Sequence, residues 1–188
     1  MKDTYKPIRL LLDAKAMEWA LDEMAAKIAK THPSPKNLIV LGMATRGIPL
    51  GQRLAEKLTQ KYDFEIPLGS IDATFYRDDF HYRDRIQNTE MRIKTMPASV
   101  ENKEIILVDD VLYTGRSVRA AIQAVLDLGR PAAVRLCVLV DRGNRELPIA
   151  PDYVGLSVET MQNQEVRVFI EPMDDENAVY LVEVEANK

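Results

Sequence analysis

The sequence predicts an α/β fold, with a mainly parallel central sheet flanked by helices, a mobile loop and a small cap. Two patterns lead there. Short apolar runs of strand length alternate with longer segments whose apolar residues recur at helical spacing. Those short runs are continuously apolar rather than alternating, as strands covered on both faces are. Size sets a third bound: 188 residues, 46% of them apolar, fill one domain with a real core and are short for two. Residues 1–188 therefore read as a single domain.

From Asp13 the spacing Met17, Leu21, Met24, Ile28 marks a helical stripe, with Asp13 placed to cap its first turn. His32-Pro33-Ser34-Pro35 ends that helix. Leu38 to Met43 reads as a buried strand, followed by a short turn at Thr45-Arg46-Gly47. Leu50, Leu54 and Leu58 mark a second amphipathic helix running to about Tyr62. Strand-like stretches follow at Gly69 to Tyr76, Glu104 to Val111 and Ala133 to Val140. Between the last two, Val118, Ile122 and Val125 line a helix that Gly129 and Pro131 close.

Residues 77–102 behave differently. They hold Arg77, Arg83, Arg85, Arg92 and Lys94, several acids and little apolar periodicity. So long a connection inside a compact domain is usually functional or disordered. It is expected to be a mobile loop with strand-like arms, the alternative being a solvated hairpin without chemistry. The tail from Tyr153 holds three strand candidates, around Leu156, from Val166 to Ile170 and from Val179 to Val184. The acidic turn Asp174-Asp175-Glu176 separates the last two, and the strands of the tail complete the sheet or form a small cap.

Charge excludes a global pull toward nucleic acid, since the net charge is -4 with 29% charged residues. Cys137, the single cysteine, sits in an apolar run and reads as a buried structural thiol, suited to a reducing cytoplasm. Met1 to Leu12 has no signal-peptide pattern, and no apolar run is long enough to span a membrane. A soluble, cytoplasmic protein is expected. His32 and His81 are too far from other ligands to suggest a metal site.

The chemistry concentrates in Ile105 to Ser117. An apolar strand delivers two adjacent carboxylates, Asp109 and Asp110, to its C-terminal end, where open parallel sheets bind ligands. A loop of small and hydroxyl residues follows, and then a helix begins. Free N–H groups at a helix start, with the Thr114 and Ser117 hydroxyls, make a phosphate cradle that Gly115 lets the ligand approach. Two carboxylates just upstream suit a polyol's hydroxyls or a metal. Together they describe a seat for ribose 5-phosphate; the alternative is an ordinary strand-to-helix turn with solvated acids.

These thirteen residues resemble the phosphoribosyl pyrophosphate (PRPP) motif of type I phosphoribosyltransferases: apolar residues, two acids, a short spacer, then Thr-Gly and a hydroxyl. There is no G-x-x-x-x-G-K-[ST], and Gly42, Gly47 and Gly51 do not fit G-x-G-x-x-G. The resemblance implies a type I phosphoribosyltransferase fold. It puts Asp109 and Asp110 on the ribose 2- and 3-hydroxyls, and Tyr113, Thr114, Gly115, Arg116 and Ser117 on the 5-phosphate. In the implied reaction a base nitrogen displaces pyrophosphate from the anomeric carbon, and Mg2+ arrives with the pyrophosphate. Thr45-Arg46-Gly47 matches the family's pyrophosphate loop, and Arg77 is a candidate for closing over it. The alternative for Arg46 is a surface charge on a turn.

The resemblance extends further. Phe75-Tyr76-Arg77-Asp78-Asp79, Val108 to Arg116 and Val140 to Pro148 are similar, in order and spacing, to signatures of the PyrR (pyrimidine attenuation) family. This implies uracil phosphoribosyltransferase activity, with Asp141 and Arg142 beside the base and the Mg2+-bound pyrophosphate. A structural salt bridge is the alternative for that pair. Purine-salvage relatives carry an aspartate where Tyr113 stands, facing the purine imidazole, and a tyrosine supplies no such carboxylate. Uracil is therefore expected over hypoxanthine or guanine.

The family further implies a homodimer or higher oligomer, and an RNA-binding attenuator with UMP or UTP as corepressor. Its regulatory members carry basic residues on the first helix and after the Glu-Leu-Pro turn. Here the first helix sets Glu18, Asp22 and Glu23 against Lys15, Lys27 and Lys30, and Ala150 to Glu165 holds no Lys or Arg. Phosphate contacts dominate RNA affinity, so weakened RNA binding is expected. The alternative function, an RNA-binding or nucleotide-sensing regulator with vestigial catalysis, predicts lesions in the catalytic parts. Arg46, Asp109, Asp110 and Arg142 are all in place.

Overall fold

The computed structural model describes residues 5–72 and 92–184. Its centre is a six-stranded sheet in the order β4-β3-β2-β5-β6-β7. The strands are β2 (Leu38–Met43), β3 (Leu68–Asp72), β4 (Arg92–Thr95), β5 (Glu104–Leu112), β6 (Ala133–Asp141) and β7 (Tyr153–Ser157). Five are parallel, and β4 pairs antiparallel with β3 at one edge. Three helices, α1 (Ala14–Thr31), α2 (Gly47–Tyr62) and α3 (Arg116–Asp127), cover it.

The continuously apolar strands follow from cover on both faces. Val40, Ile106, Val108, Cys137 and Leu139 pack with α1 and α2, through Met17, Leu21, Met24, Leu50, Leu54 and Leu58. Their neighbours Ile39, Leu41, Ile105, Leu107 and Val138 point the other way and pack with Val118, Ala121 and Val125 of α3. A strand sends alternate side chains to opposite faces, so two apolar faces require an unbroken apolar run. Asp13 caps α1 as its position suggests, its Oδ1 accepting from the Ala16 N–H at 2.7 Å.

A second, three-stranded antiparallel sheet has the order β1-β9-β8, from β1 (Tyr5–Leu12), β8 (Gln164–Phe169) and β9 (Ala178–Val184). Val166, Val168, Ile170 and Val179 join the core beneath α1 and α2, so this sheet caps the same side of the domain. The tail thus does both things its pattern allowed: the Leu156 strand completes the main sheet, and the other two build the cap. β1 is an addition that the sequence pattern does not announce. Ile8 and Leu10 stay half exposed, and Pro7 interrupts the ladder, as edge strands tolerate.

The long loop expected over residues 77–102 is described only from Arg92, where β4 supplies one strand arm. Arg77, His81 and the rest of residues 73–91 lie outside the described residues. Among the described residues no helix is long and apolar enough to cross a membrane.

Candidate active site

Because β2, β5 and β6 are parallel neighbours, the loops after their C-terminal ends lie side by side. Those loops carry Thr45-Arg46-Gly47, Tyr113-Thr114-Gly115 and Arg142 onward. Leu112 pairs with Asp141 across the last rungs of β5 and β6. Two glycines bring the first loop in. A Cβ on Gly47 would lie 2.4 Å from the Val108 carbonyl oxygen, and one on Gly42 would lie 2.6 Å from the Gly47 carbonyl oxygen. Without side chains, the start of α2 rests directly on β2 and β5 beside the two acids. The Ala44–Thr45 peptide bond in this turn is cis.

Asp109 and Asp110 are both partly buried at the end of β5. Asp109 Oδ1 accepts from the Asp110 N–H at 2.9 Å, and Asp110 Oδ1 accepts from the Val111 N–H at 3.0 Å. Backbone bonds of this kind fix the direction of both carboxylates. Arg46 faces them. Its guanidinium is paired with Asp174, Nε to Oδ2 at 3.0 Å and Nη2 to Oδ1 at 2.9 Å. The hydrogen bond to Asp174 pushes the Arg46 pKa up against burial, and the charges of Asp174 and Asp110 add to the rise. Arg46 is thus no loose surface charge but a held cation between cap and sheet.

The loop after β5 turns through Gly115, whose φ of 91° favours glycine. Gly115 occupies the N-cap position of α3 and, having no side chain, makes no capping hydrogen bond of its own. Thr114 is buried, with its carbonyl accepting from the Glu146 and Leu147 N–H groups, both at 3.1 Å. Its hydroxyl oxygen accepts from the Arg116 N–H at 3.3 Å. Arg116 leans outward to Glu146, with Nε 2.7 Å from Oε2, and Ser117 lies in the first turn, partly buried.

Asp141 and Arg142 do different jobs. Asp141 Oδ1 accepts from the Gly143 N–H at 3.0 Å and lies 2.6 Å from Arg145 Nη2. Arg142 is buried, with Nε donating to Thr160 Oγ1 at 3.1 Å and Nη2 donating to the Gln164 carbonyl. Burial lowers its pKa, against the charges of Tyr113 and Glu165. Its guanidinium sits 4.0 Å from the centre of the Tyr113 ring, a cation–π stack. Asp141 therefore ion-pairs with Arg145 instead of Arg142.

His32 lies at the opposite end of the sheet, its Nδ1 2.6 Å from Glu104 and its Nε2 2.9 Å from the Tyr153 hydroxyl. It has no part in the site. Among the described residues no three His, Cys, Asp or Glu side chains gather as a metal site. Two residues of the site escape sequence reasoning, Asp174 and Arg145. Asp174 reads there only as part of an acidic turn, and its partner lies 128 positions away. Arg145 lies within the Val140 to Pro148 stretch but is given no role there, its further signal being the spacing of four from Asp141.

Comparison with known proteins agrees with this geometry. The family model described as "Phosphoribosyl transferase domain" matches residues 9–173. The domain also superposes on a hypoxanthine phosphoribosyltransferase of Trypanosoma cruzi with a TM-score of 0.72, covering 95% of this chain and 98% of that one. At 17% identity that likeness speaks for the fold. The chain belongs to the phosphoribosyltransferase family, with a type I fold, and is a pentosyltransferase.

Closer relatives define the branch. The bifunctional protein PyrR of Enterococcus faecalis is 44% identical over 175 residues, 93% of this chain and 97% of its own. The bifunctional protein PyrR 1 of Lactiplantibacillus plantarum is 42% identical over 177 residues, 94% and 98% of the two chains. Within the phosphoribosyltransferases the chain is a member of the PyrR family.

Proposed function

We propose that the chain transfers the 5-phosphoribosyl group of PRPP to uracil, giving UMP and pyrophosphate. The observation that carries this is the juxtaposition of two backbone-held carboxylates, Asp109 and Asp110, with the glycine-capped start of α3 just after them and with Arg46, which feels the charge of Asp110. The carboxylates take the ribose hydroxyls. As the bond to pyrophosphate stretches, positive charge gathers on the sugar, and fixed negative groups stabilise that state more than the ground state. Thr114, Gly115 and Ser117 cradle the 5-phosphate. Arg46 lies toward the departing pyrophosphate, with Arg77 assigned to closure over it, which would exclude water.

Mg2+ fits this donor set. A hard cation that binds through one or two carboxylates plus substrate phosphates needs no cage of protein ligands. Asp109 and Asp110 supply hard oxygens, whereas Oδ1 of Asp141 is already engaged by Arg145 and Gly143 N–H. Carried in by PRPP and held by these residues, Mg2+ would offset the negative charge of the leaving pyrophosphate.

Tyr113 supports uracil. Its ring, more than a third exposed and backed by Arg142, places an aromatic surface where a purine-selecting carboxylate would be needed. The test is PRPP- and Mg2+-dependent conversion of radiolabelled uracil, with hypoxanthine, guanine and orotate in parallel. Turnover with uracil alone is expected, and turnover with a purine instead would reject the base assignment.

Regulation through RNA, with UMP or UTP as corepressor, is the second role, supported by the bifunctional description of the relatives. The face of α1 and α2 is a weak place for it. Glu18 binds Arg53 and Lys57, and Asp22 binds Lys57, so two bases of α2 are already neutralised. Weak RNA binding with a shallow salt dependence is expected in a filter-binding titration.

A further inference from the structure

We infer that Arg145 is a positioning residue for the 5-phosphate loop, fixing the direction in which its peptide N–H groups point. A loop of small residues offers a phosphate nothing unless its peptide planes are turned the right way, and its own sequence does not settle that. Here the planes are tied from behind. Arg145 Nη1 donates to the Tyr113 carbonyl at 3.0 Å and, more weakly, to that of Leu112 at 3.5 Å. The Leu112 carbonyl also accepts from the Arg142 N–H at 3.1 Å, and the Thr114 carbonyl from the N–H groups of Glu146 and Leu147. Three successive carbonyls thus face the segment from Arg142 to Leu147.

In a planar trans peptide the C=O and the following N–H point in opposite directions. The N–H groups of Tyr113, Thr114 and Gly115 are therefore turned away from that segment, all three to one side. A row of successive N–H groups with a common direction is an anion-binding nest.

Arg145 is itself held. Its Nε donates to the Ile149 carbonyl at 3.0 Å, Nη1 also reaches the Gly143 carbonyl at 3.1 Å, and Nη2 pairs with Asp141 at 2.6 Å. One guanidinium serves four carbonyls and a carboxylate, using its planar fork of donors. A lysine, with one nitrogen, reproduces only part of that set. The role rests on the reading that this loop binds the 5-phosphate.

The test compares wild type, Arg145→Lys, Arg145→Ala and Ser117→Ala. Steady-state kinetics are measured together with calorimetric titration of ribose 5-phosphate and of pyrophosphate. Arg145→Ala should raise KM for PRPP and weaken ribose 5-phosphate by roughly 10- to 100-fold, the scale of loss from misplaced binding groups. Pyrophosphate affinity should stay nearly unchanged, and Arg145→Lys should recover part of the loss. A fall in kcat and in urea midpoint with KM and ribose 5-phosphate affinity unchanged would overturn the role, leaving Arg145 a merely structural residue. Ser117→Ala separates the two statements. If it weakens ribose 5-phosphate while Arg145→Ala does not, the loop reading stands and the role of Arg145 falls. If neither substitution matters, the 5-phosphate sits elsewhere and both fall.

Discussion

Arg46 and Asp174 form a two-pronged ion pair between the turn after β2 and the turn after β8, joining main sheet to cap across 128 positions of sequence. The fork uses Nε and Nη2, so Nη1 remains outside the pair with Asp174 and is the group we assign to pyrophosphate. Arg46→Ala should raise KM for PRPP and slow pyrophosphorolysis by about 10- to 100-fold, with the KM for uracil little altered. Asp174→Asn should produce a smaller loss of the same kind. An unchanged PRPP dependence in both would place the pyrophosphate loop elsewhere.

The same pair makes a prediction about pH. Burial works to raise the Asp174 carboxyl, but the hydrogen bonds from Arg46 and the Ile170 N–H, with the Arg46 charge, outweigh it and leave the pKa below its ordinary value. A depressed carboxylate stabilises the fold above its unfolded pKa, about 3.9, and loses that contribution as pH falls through the folded value. Asp174→Asn should therefore cost roughly 1–2 kcal/mol in urea melts near neutrality, since the pair is partly exposed. The gap from wild type should narrow below about pH 4. A gap independent of pH down to acid unfolding would show that the charge is not what matters.

Gly47→Ala tests how the site is assembled. Its Cβ would collide with the Val108 carbonyl oxygen, a backbone atom that cannot swing aside, so α2 must move off β5. A cost of about 1–3 kcal/mol is expected, as for overpacking elsewhere, together with a loss of turnover larger than the loss of folded protein explains. Wild-type kinetics in a fully folded Gly47→Ala protein would contradict the direct seating of α2 on β5.

Cys137 is completely buried against Met24, with its thiol pushed up to about 12 by burial and the charge of Asp152. The native protein should resist thiol reagents at neutral pH, and modification should follow unfolding in urea. Rapid labelling of the native protein would be inconsistent with this packing.

What the sequence reveals depends on where the reporting signal lies. β2, β5 and β6 are legible because burial on two faces forces apolar runs, and α1 because Asp13 and its stripe sit on one short segment. Asp109 and Asp110 are legible because the strand, acids, loop and helix that define their chemistry are contiguous. β1 is hidden because it is a half-exposed edge strand whose pairing partner, β9, lies at the other end of the chain. Asp174 and Arg145 are hidden for a related reason. Their meaning lies in a distant guanidinium and in backbone carbonyls, and neither leaves a residue pattern. The alternation of Asp141 and Arg142 similarly conceals that the first pairs with Arg145 while the second stacks on Tyr113.

The most direct measurement on the central claim is uracil turnover by the Asp109→Asn, Asp110→Asn double variant, with circular dichroism and urea melts as a check on the fold. Both carboxylates are partly exposed at a strand end, so the fold should survive. Loss of fixed charge beside a developing cation should lower kcat by about 100-fold or more, the scale seen when electrostatic stabilisation of a transition state is removed. Near-normal turnover in the folded double variant would contradict the assignment of this strand end as the PRPP site.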